Sequence, residues 1–514
     1  MAEVYEESST CAAAHPPPRM DTLQEMPSMT APAQTSREDI RPRPGRHLHL
    51  VGIGGCGMSG LARMLAAREC HCTGSDHAPS PVTEALIEDG FQLHLGPAPD
   101  TLPEGTELLV ASAAIPSDHP EVMAATAAGI PVLSYAEALG QLQEDRLSIC
   151  ISDTHGKSTT ASMLCHILIQ CELDPGFIIG ASCDQIGGGS RTGSDTVPTG
   201  PHEDEPGILV CEACEFNRSF HHHRPSLALI NNIEEDHLDI YGSLEAIVDA
   251  FREFAALVPP AEEGGSLLIA HDGAHRQNIT PGLSCHVSTF GFHPEADYQV
   301  VYDANVLRIG ILREGMWVTQ WTNQMPGGHN ALNAAAAVIL AHQLGAEWEE
   351  AAEAMSTFNG LDRRMQRLGE RSTADGGSVV VYDDYGHHPT EIEQTLKALK
   401  LVEKPERVIC VFQPHQHSRT RFLLDQFAES FASADEVLVP QIYFVRDSLT
   451  EKQRISSIDL VEKLENRGVL AQHIPDFDDI TTHLLEHTCD GDLVVIMGAG
   501  PVWTIGRDFM ANDS

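Results

Sequence analysis

Residues 147–170 read LSICISDTHGKSTTASMLCHILIQ: an apolar run of strand length, a turn holding one glycine and one lysine, then an apolar helical pattern. No other stretch constrains the fold as strongly. A strand that feeds a glycine-containing turn and then a helix aims free backbone N–H groups and the positive helix end at an anion. Such turns sit at the carboxyl ends of strands in open parallel sheets. Lys157 would reach the β- and γ-phosphates of a nucleotide, and the Ser158 hydroxyl would reach Mg²⁺. The pattern is incomplete, because the first glycine of GxxxxGK[ST] would fall at Ile151. Its isolation adds weight: of six lysines in the chain, Lys157 is the only one before Lys397.

The surroundings repeat one grammar. At 514 residues the chain is too long for a single core, and short β-like runs alternate with helical patterns from Arg46 onward. The fold class is α/β, with three consecutive domains: Rossmann-like at 46–144, a central P-loop ATPase domain at 145–357, and a second Rossmann-like domain at 358–514. Residues 1–45, rich in Pro, Ser, Thr and Ala, read as a disordered tail. The Gly-, Pro- and acid-rich stretch 187–207 reads as a surface loop. A net charge of −42 argues against nucleic-acid or anionic-membrane partners. Thirteen scattered cysteines, no apolar leader and no run of 18 apolar residues fit a cytoplasmic protein with free thiols.

Further motifs sit at the ends of expected strands. In VGIGGCGMSG, Gly52, Gly54 and Gly57 match GxGxxG, and Asp76 follows at a spacing suited to a ribose hydroxyl. Taken alone, that loop reads as an NAD site. CEACEFNRSF and NNIEEDHLD place Glu212 and His237 where a carboxylate and an imidazole could approach Mg²⁺. DDYGHHP and FQPHQHSRT end strands with histidines and Arg419, which suit recognition of a carboxylate and an amine. Zinc competes for CEAC with His221, His222 and His223, but that spacing fits no familiar zinc pattern.

Taken together and in order, GIGGCGMSGLA, SAAIPSDHPEV, THGKSTT, CEACEFNRSF, NIEEDHLD, GHNALNAAAA, FNGLDRRMQ, DDYGHHPTEI, FQPHQHSRT and MGAGPVW closely resemble the Mur ligases. The resemblance implies ATP-driven amide formation in peptidoglycan precursor synthesis, by a monomer or homodimer. ATP would phosphorylate the lactyl carboxylate of UDP-N-acetylmuramate, and the amine of L-alanine would attack the acyl phosphate. It further implies Thr154, His155, Gly156, Lys157, Ser158, Thr159, His329, Asn330, Arg363 and Asp384 around ATP, with Lys157 on the transferred phosphoryl group. Ser158, Glu212 and His237 would hold Mg²⁺. Gly54, Gly57, Ser59 and Asp76 would face the UDP moiety, and His388, His415 and Arg419 the alanine.

Siblings that add later residues use a carbamylated lysine, and no lysine besides Lys157 precedes Lys397. That favours the alanine-adding members or the peptide-recycling ligase. A non-catalytic nucleotide-sugar binder stays open as well. Two departures carry expectations of their own. Relatives read GTHGK where this chain has Asp153, whose carboxylate is expected to face the nucleotide and weaken ATP binding. They read QPHRYTR where this chain has Gln416, His417 and Ser418, so glycine or serine is expected to compete with alanine.

Overall fold

Five short strands build the first sheet: β1 (His47–Val51), β2 (His71–Asp76), β3 (Gln92–Leu95), β4 (Leu108–Ala111) and β5 (Val132–Ser134). They are all parallel, in the order β3-β2-β1-β4-β5. The order reverses between β1 and β4, which opens a crevice at their carboxyl ends. The computed structural model describes residues 41–373, 376–445 and 447–511. Most of the expected tail therefore lies outside the described residues, and its last five residues correct the expectation. Gly45 N–H donates to the Glu69 carbonyl at 2.8 Å and Arg41 pairs with Glu144 at 2.6 Å, so 41–45 is held against the turn before β2 and the end of helix Tyr135–Gln143.

The second sheet holds β6 (Leu147–Ile151), β7 (Gly176–Ile178), β8 (Ser190–Arg191), β9 (Ile208–Glu212), β10 (Leu227–Ile230), β11 (Ser266–Ala270), β12 (His286–Gly291), β13 (Tyr298–Asp303), β14 (Arg308–Arg313) and β15 (Met316–Thr322). Their order is β15-β14-β13-β12-β11-β10-β6-β9-β7-β8. β6 is central and almost wholly buried. Helix Lys157–Gln170 follows it and packs on helix Gly328–Gln343. Ala334, Ala335, Ala336 and Ala337 of the latter are fully buried, and such small side chains let two helices approach closely. The stretch read as a surface loop supplies β8, which pairs antiparallel with β7.

The third sheet is β16 (Gln366–Ser372), β17 (Ser378–Asp384), β18 (Arg407–Phe412), β19 (Glu436–Val439), β20 (Leu470–His473) and β21 (Asp492–Met497), ordered β16-β17-β21-β18-β19-β20. Only the edge strand β16 is antiparallel. The carboxyl ends of β17 and β18 carry DDYGHHP and FQPHQHSRT, and both segments bond to the middle of the chain.

Candidate active site

The turn after β6 is held from both sides. Thr154 N–H donates to the Asn232 carbonyl at 3.0 Å, His155 N–H donates to Asn232 Oδ1 at 2.8 Å, and Asn232 Nδ2 donates back to the His155 carbonyl at 2.7 Å. Gly156 has φ +96°, and a Cβ there would stand 2.9 Å from Asn333 Oδ1, so conformation and space both require glycine. Lys157 Nζ donates to the carbonyls of Asp153 and Thr154, the latter at 3.2 Å, and to Glu215 Oε2 at 2.9 Å. Burial would depress its ammonium, but Glu215 outweighs this and holds it above the ordinary lysine range. Ser158 and Thr159 lie in the first turn of the same helix, both buried.

Asp153 corrects an expectation. Its carboxylate does not face outward from the loop; it is fully buried beneath it, with Oδ1 accepting the Asn231 N–H at the end of β10. Nor is its backbone left-handed, since the positive φ of this turn falls on Gly156.

Candidate metal donors gather beside Lys157. Ligand atoms of Glu215, Asp236 and His237 lie within 4.8 Å of one another. Two carboxylates and an imidazole suit a hard cation such as Mg²⁺, with the Ser158 hydroxyl on the adjoining helix turn. The expected partner of His237 was Glu212, which is not in this group: its Oε1 accepts the Gly180 N–H at 2.6 Å. Arg419 also departs from expectation. Its Nε and Nη2 donate to Asp236 Oδ1 at 3.0 and 2.9 Å, so the fork meant for an amino-acid carboxylate grips a carboxylate of the segment that follows β10. Burial opposes ionisation of Asp236, yet Arg419 holds its carboxyl well below the usual range.

A small cleft of about 60 Å³ opens beside the phosphate loop, lined by His155, Gly156, Thr159, His329, Asn330, Asn333, Arg364, Asp384 and Glu391, among others. His329, Asn330 and Asp384 are thus brought together. His329 Nδ1 is buried without a partner among the described residues, and burial lowers the imidazole to about 4, leaving it neutral. Asp384 is pushed up to about 6 by burial and uses its oxygens on the N–H groups of Met365 and Gly386, both at 2.7 Å. Arg363 is not brought in: its guanidinium donates to Asp383 at 3.2 Å and to the Gly498 carbonyl at 2.6 Å. Arg364 takes the place expected for it. Asn333, which the sequence reading passed over, bridges Asn231 and Asn330 beside Gly156.

The histidines of DDYGHHP divide their roles. His388 caps helix Pro389–Glu403, and its Nε2 lies 3.1 Å from the Glu235 carbonyl. It therefore joins the third sheet to the second. His387 stands beside His415, with ring centroids 5.9 Å apart. Burial lowers His387 to about 3, so it is a neutral base, and sequence reasoning had missed it. His155 is the opposite case. Burial would lower it, but Glu391 at 3.3 Å and Glu234 at 3.7 Å raise it to about 9.

At the first sheet's crevice a cavity of about 500 Å³ is lined by Gly52, Gly54, Gly55, Asp76, Ser80, Ser112, His119 and Glu121, among others. Gly54 N–H donates to Asp76 Oδ2 at 2.8 Å, which ties the glycine loop to the end of β2. Gly57 and Ser59 are not part of this lining. A Cβ on Gly57 would meet the Tyr135 ring at 2.8 Å, so this glycine serves helix packing, and Ser59 Oγ donates within its own helix to the Cys56 carbonyl at 3.0 Å. Glu121 was missed: it forms the cavity floor, bonded to His49 at 2.8 Å and Ser75 at 2.6 Å. The zinc alternative fails among the described residues, where no ligand cluster includes Cys211, Cys214 or His221–His223. His223 instead bonds Gln143 at 3.0 Å.

A glycine-loop crevice on the first sheet, a phosphate loop on the second and a third sheet whose strand ends bond to residues beside that loop make a three-part architecture, and comparison with known families agrees. Three family models match in order: the Mur ligase family catalytic domain over residues 47–146, the Mur ligase middle domain over 151–341 and the Mur ligase glutamate ligase domain over 363–500. The chain belongs to the Mur ligase family. More particularly, it is 35% identical to the UDP-N-acetylmuramate–L-alanine ligase of Acetivibrio thermocellus over 92% of this chain and 97% of that one. It is 36% identical to the enzyme of that name from Agathobacter rectalis, over 90% and 97%. Among solved structures, the UDP-N-acetylmuramate-alanine ligase of Thermotoga maritima shares the fold with a TM-score of 0.71 at 24% identity, covering 90% of this chain and 98% of that one. A murein peptide ligase from Psychrobacter arcticus follows with a TM-score of 0.64 at 25% identity, covering 91% and 98%.

Proposed function

We propose that the protein joins L-alanine to the lactyl carboxylate of UDP-N-acetylmuramate at the expense of ATP. The observation that carries this reading is the place of Lys157. Its ammonium sits on a phosphate loop, against Glu215 of the candidate metal group, while Asp236 of that group grips Arg419 of the third sheet. A phosphoryl donor, its counter-cation and an acceptor brought by the third sheet would converge there.

In this reading the UDP moiety fills the first cavity and ATP spans the loop and the Arg364 side. Mg²⁺, held by Ser158, Glu215 and His237, would supply charge neutralisation on the phosphates. A lactyl carboxylate oxygen attacks the γ-phosphorus, the bond to the β-phosphate oxygen breaks, and ADP leaves. Lys157, freed from the loop carbonyls, follows the transferred group. The alanine amine then attacks the acyl carbon beside His387 and His415, and the proton that it sheds passes to the departing phosphate. Phosphate departs and the amide remains. Water must be excluded, because an acyl phosphate hydrolyses, and the seating of the third sheet on the second does this.

The test is incubation with ATP, Mg²⁺, UDP-N-acetylmuramate and L-alanine. The expected result is one ADP and one amide per turnover. Nucleotide binding without turnover would contradict the reading, and turnover only when a free L-alanyl-γ-D-glutamyl-diaminopimelate peptide replaces L-alanine would mark a peptide-recycling ligase.

A further inference from the structure

The residue before the phosphate loop's Thr154 is a buried carboxyl group that no step above uses. Asp153 is fully buried, Oδ1 accepts the Asn231 N–H, and Oδ2 has no partner among the described residues. Its own carbonyl accepts from Lys157 Nζ. One residue thus pins the loop to the end of β10 through its side chain and holds the resting lysine through its backbone.

We propose that Asp153 is a positioning residue that couples ATP binding to uptake of a proton. When neutral, the carboxyl group anchors the loop and leaves Lys157 available to the phosphates. When ionised, it lies under a loop one residue thick, where it repels a polyanion bound on the other face and retains the ammonium of Lys157. Three charged groups face it: Lys157 from the helix, Glu215 from the end of β9 and His155 from the loop itself. Burial with one unsatisfied oxygen opposes its ionisation most and Glu215 adds to that, while the Asn231 N–H and the two cations favour it, which places the group at about 7. Bound ATP adds negative charge to the same side as Glu215 and drives the proton on.

The inference rests on ATP binding at this loop, and calorimetry separates the two claims. A non-hydrolysable ATP analogue with Mg²⁺ is titrated into the full-length protein at pH about 7.5, in two buffers of different ionisation enthalpy. The expected result is net proton uptake by the wild type and none by Asp153→Asn or Asp153→Gly, two variants so that a folding defect in one does not decide the matter. In parallel, if the bound analogue raises the Asp153 pKa by one unit, KM for ATP rises about tenfold from pH 6 to 9 in the wild type. In both variants that rise disappears. Binding with equal proton uptake in wild type and variants, or superimposable KM profiles, overturns the inference alone. No binding at all overturns the functional reading and this inference with it.

Discussion

Lys157 Nζ is shared between two loop carbonyls and Glu215, a resting arrangement that satisfies a buried ammonium until a phosphate replaces those oxygens. Its neighbours show how finely side-chain direction is set. Arg363 and Met365 have φ of +58° and +48°, so the chain reverses twice within three residues and sends Arg363 toward Gly498 and Arg364 into the cleft. Arg364→Ala is expected to raise KM for ATP roughly tenfold or more, the loss of one charged hydrogen-bond donor, with little change in melting temperature. Arg363→Ala should do the reverse, because it strips a cation from Asp383. Equal effects on KM would refute the assignment. The sequence showed that an arginine belongs in this place but not which one, since left-handed turns at non-glycine residues leave no compositional mark. The same limit explains why Glu212 was expected where Glu215 stands, and His388 where His387 stands: residues one to three positions apart at or just past a strand end point in different directions. Gly156 and Lys157 were legible because glycine and an isolated lysine are themselves the signal.

At the scale of elements, the third sheet is fastened to the second by Arg419 on Asp236, His388 on the Glu235 carbonyl, Thr390 on Glu234 and Glu391 on His155. The last of these is pH-sensitive. His155 is raised from 6.5 to about 9, so its contribution is complete below the unfolded value and disappears as pH rises through the folded one. Between those limits the fastening should loosen, seen as faster hydrogen exchange in helix Pro389–Glu403 at pH about 9.5 than the intrinsic rate change explains. Glu391→Gln should already exchange fast at pH about 6.5. Equal protection of that helix at both pH values in the wild type, with the intrinsic rate change divided out, would show that the pair does not fasten it. The strand–helix alternation on either side of this junction was legible in the sequence, because buried parallel strands are short apolar runs. The antiparallel extension β13–β15 was not. In VVYD, RIGILR and MWVTQWT apolar residues mix with polar or charged ones without the clean alternation of a one-sided sheet, and exposed Met316 and Trp317 mimic a loop end as readily as a strand.

Across the whole molecule, a net charge of −42 sits on a protein for which two of the three proposed substrates, ATP and UDP-N-acetylmuramate, are anions. Self-repulsion of that size destabilises the compact state and is screened by salt. The melting temperature should therefore rise between about 0.05 and 0.5 M KCl, where the Debye length falls well below the protein's dimensions; a flat or falling curve would show that the acidic surface is already neutralised by pairing. The cleft beside the phosphate loop is bordered by His155 and Asn333 of the middle of the chain on one side and by Arg364, Asp384 and Glu391 on the other, so movement of one part against the other would change access to it. Opening admits substrates and closing excludes water, which is the logic an acyl-phosphate route requires. That route is the centre of the account, and isotope transfer tests it directly. With ¹⁸O in the lactyl carboxylate of UDP-N-acetylmuramate, turnover in the presence of ATP and L-alanine should place one ¹⁸O atom in each phosphate released. Unlabelled phosphate accompanying amide formation would contradict it.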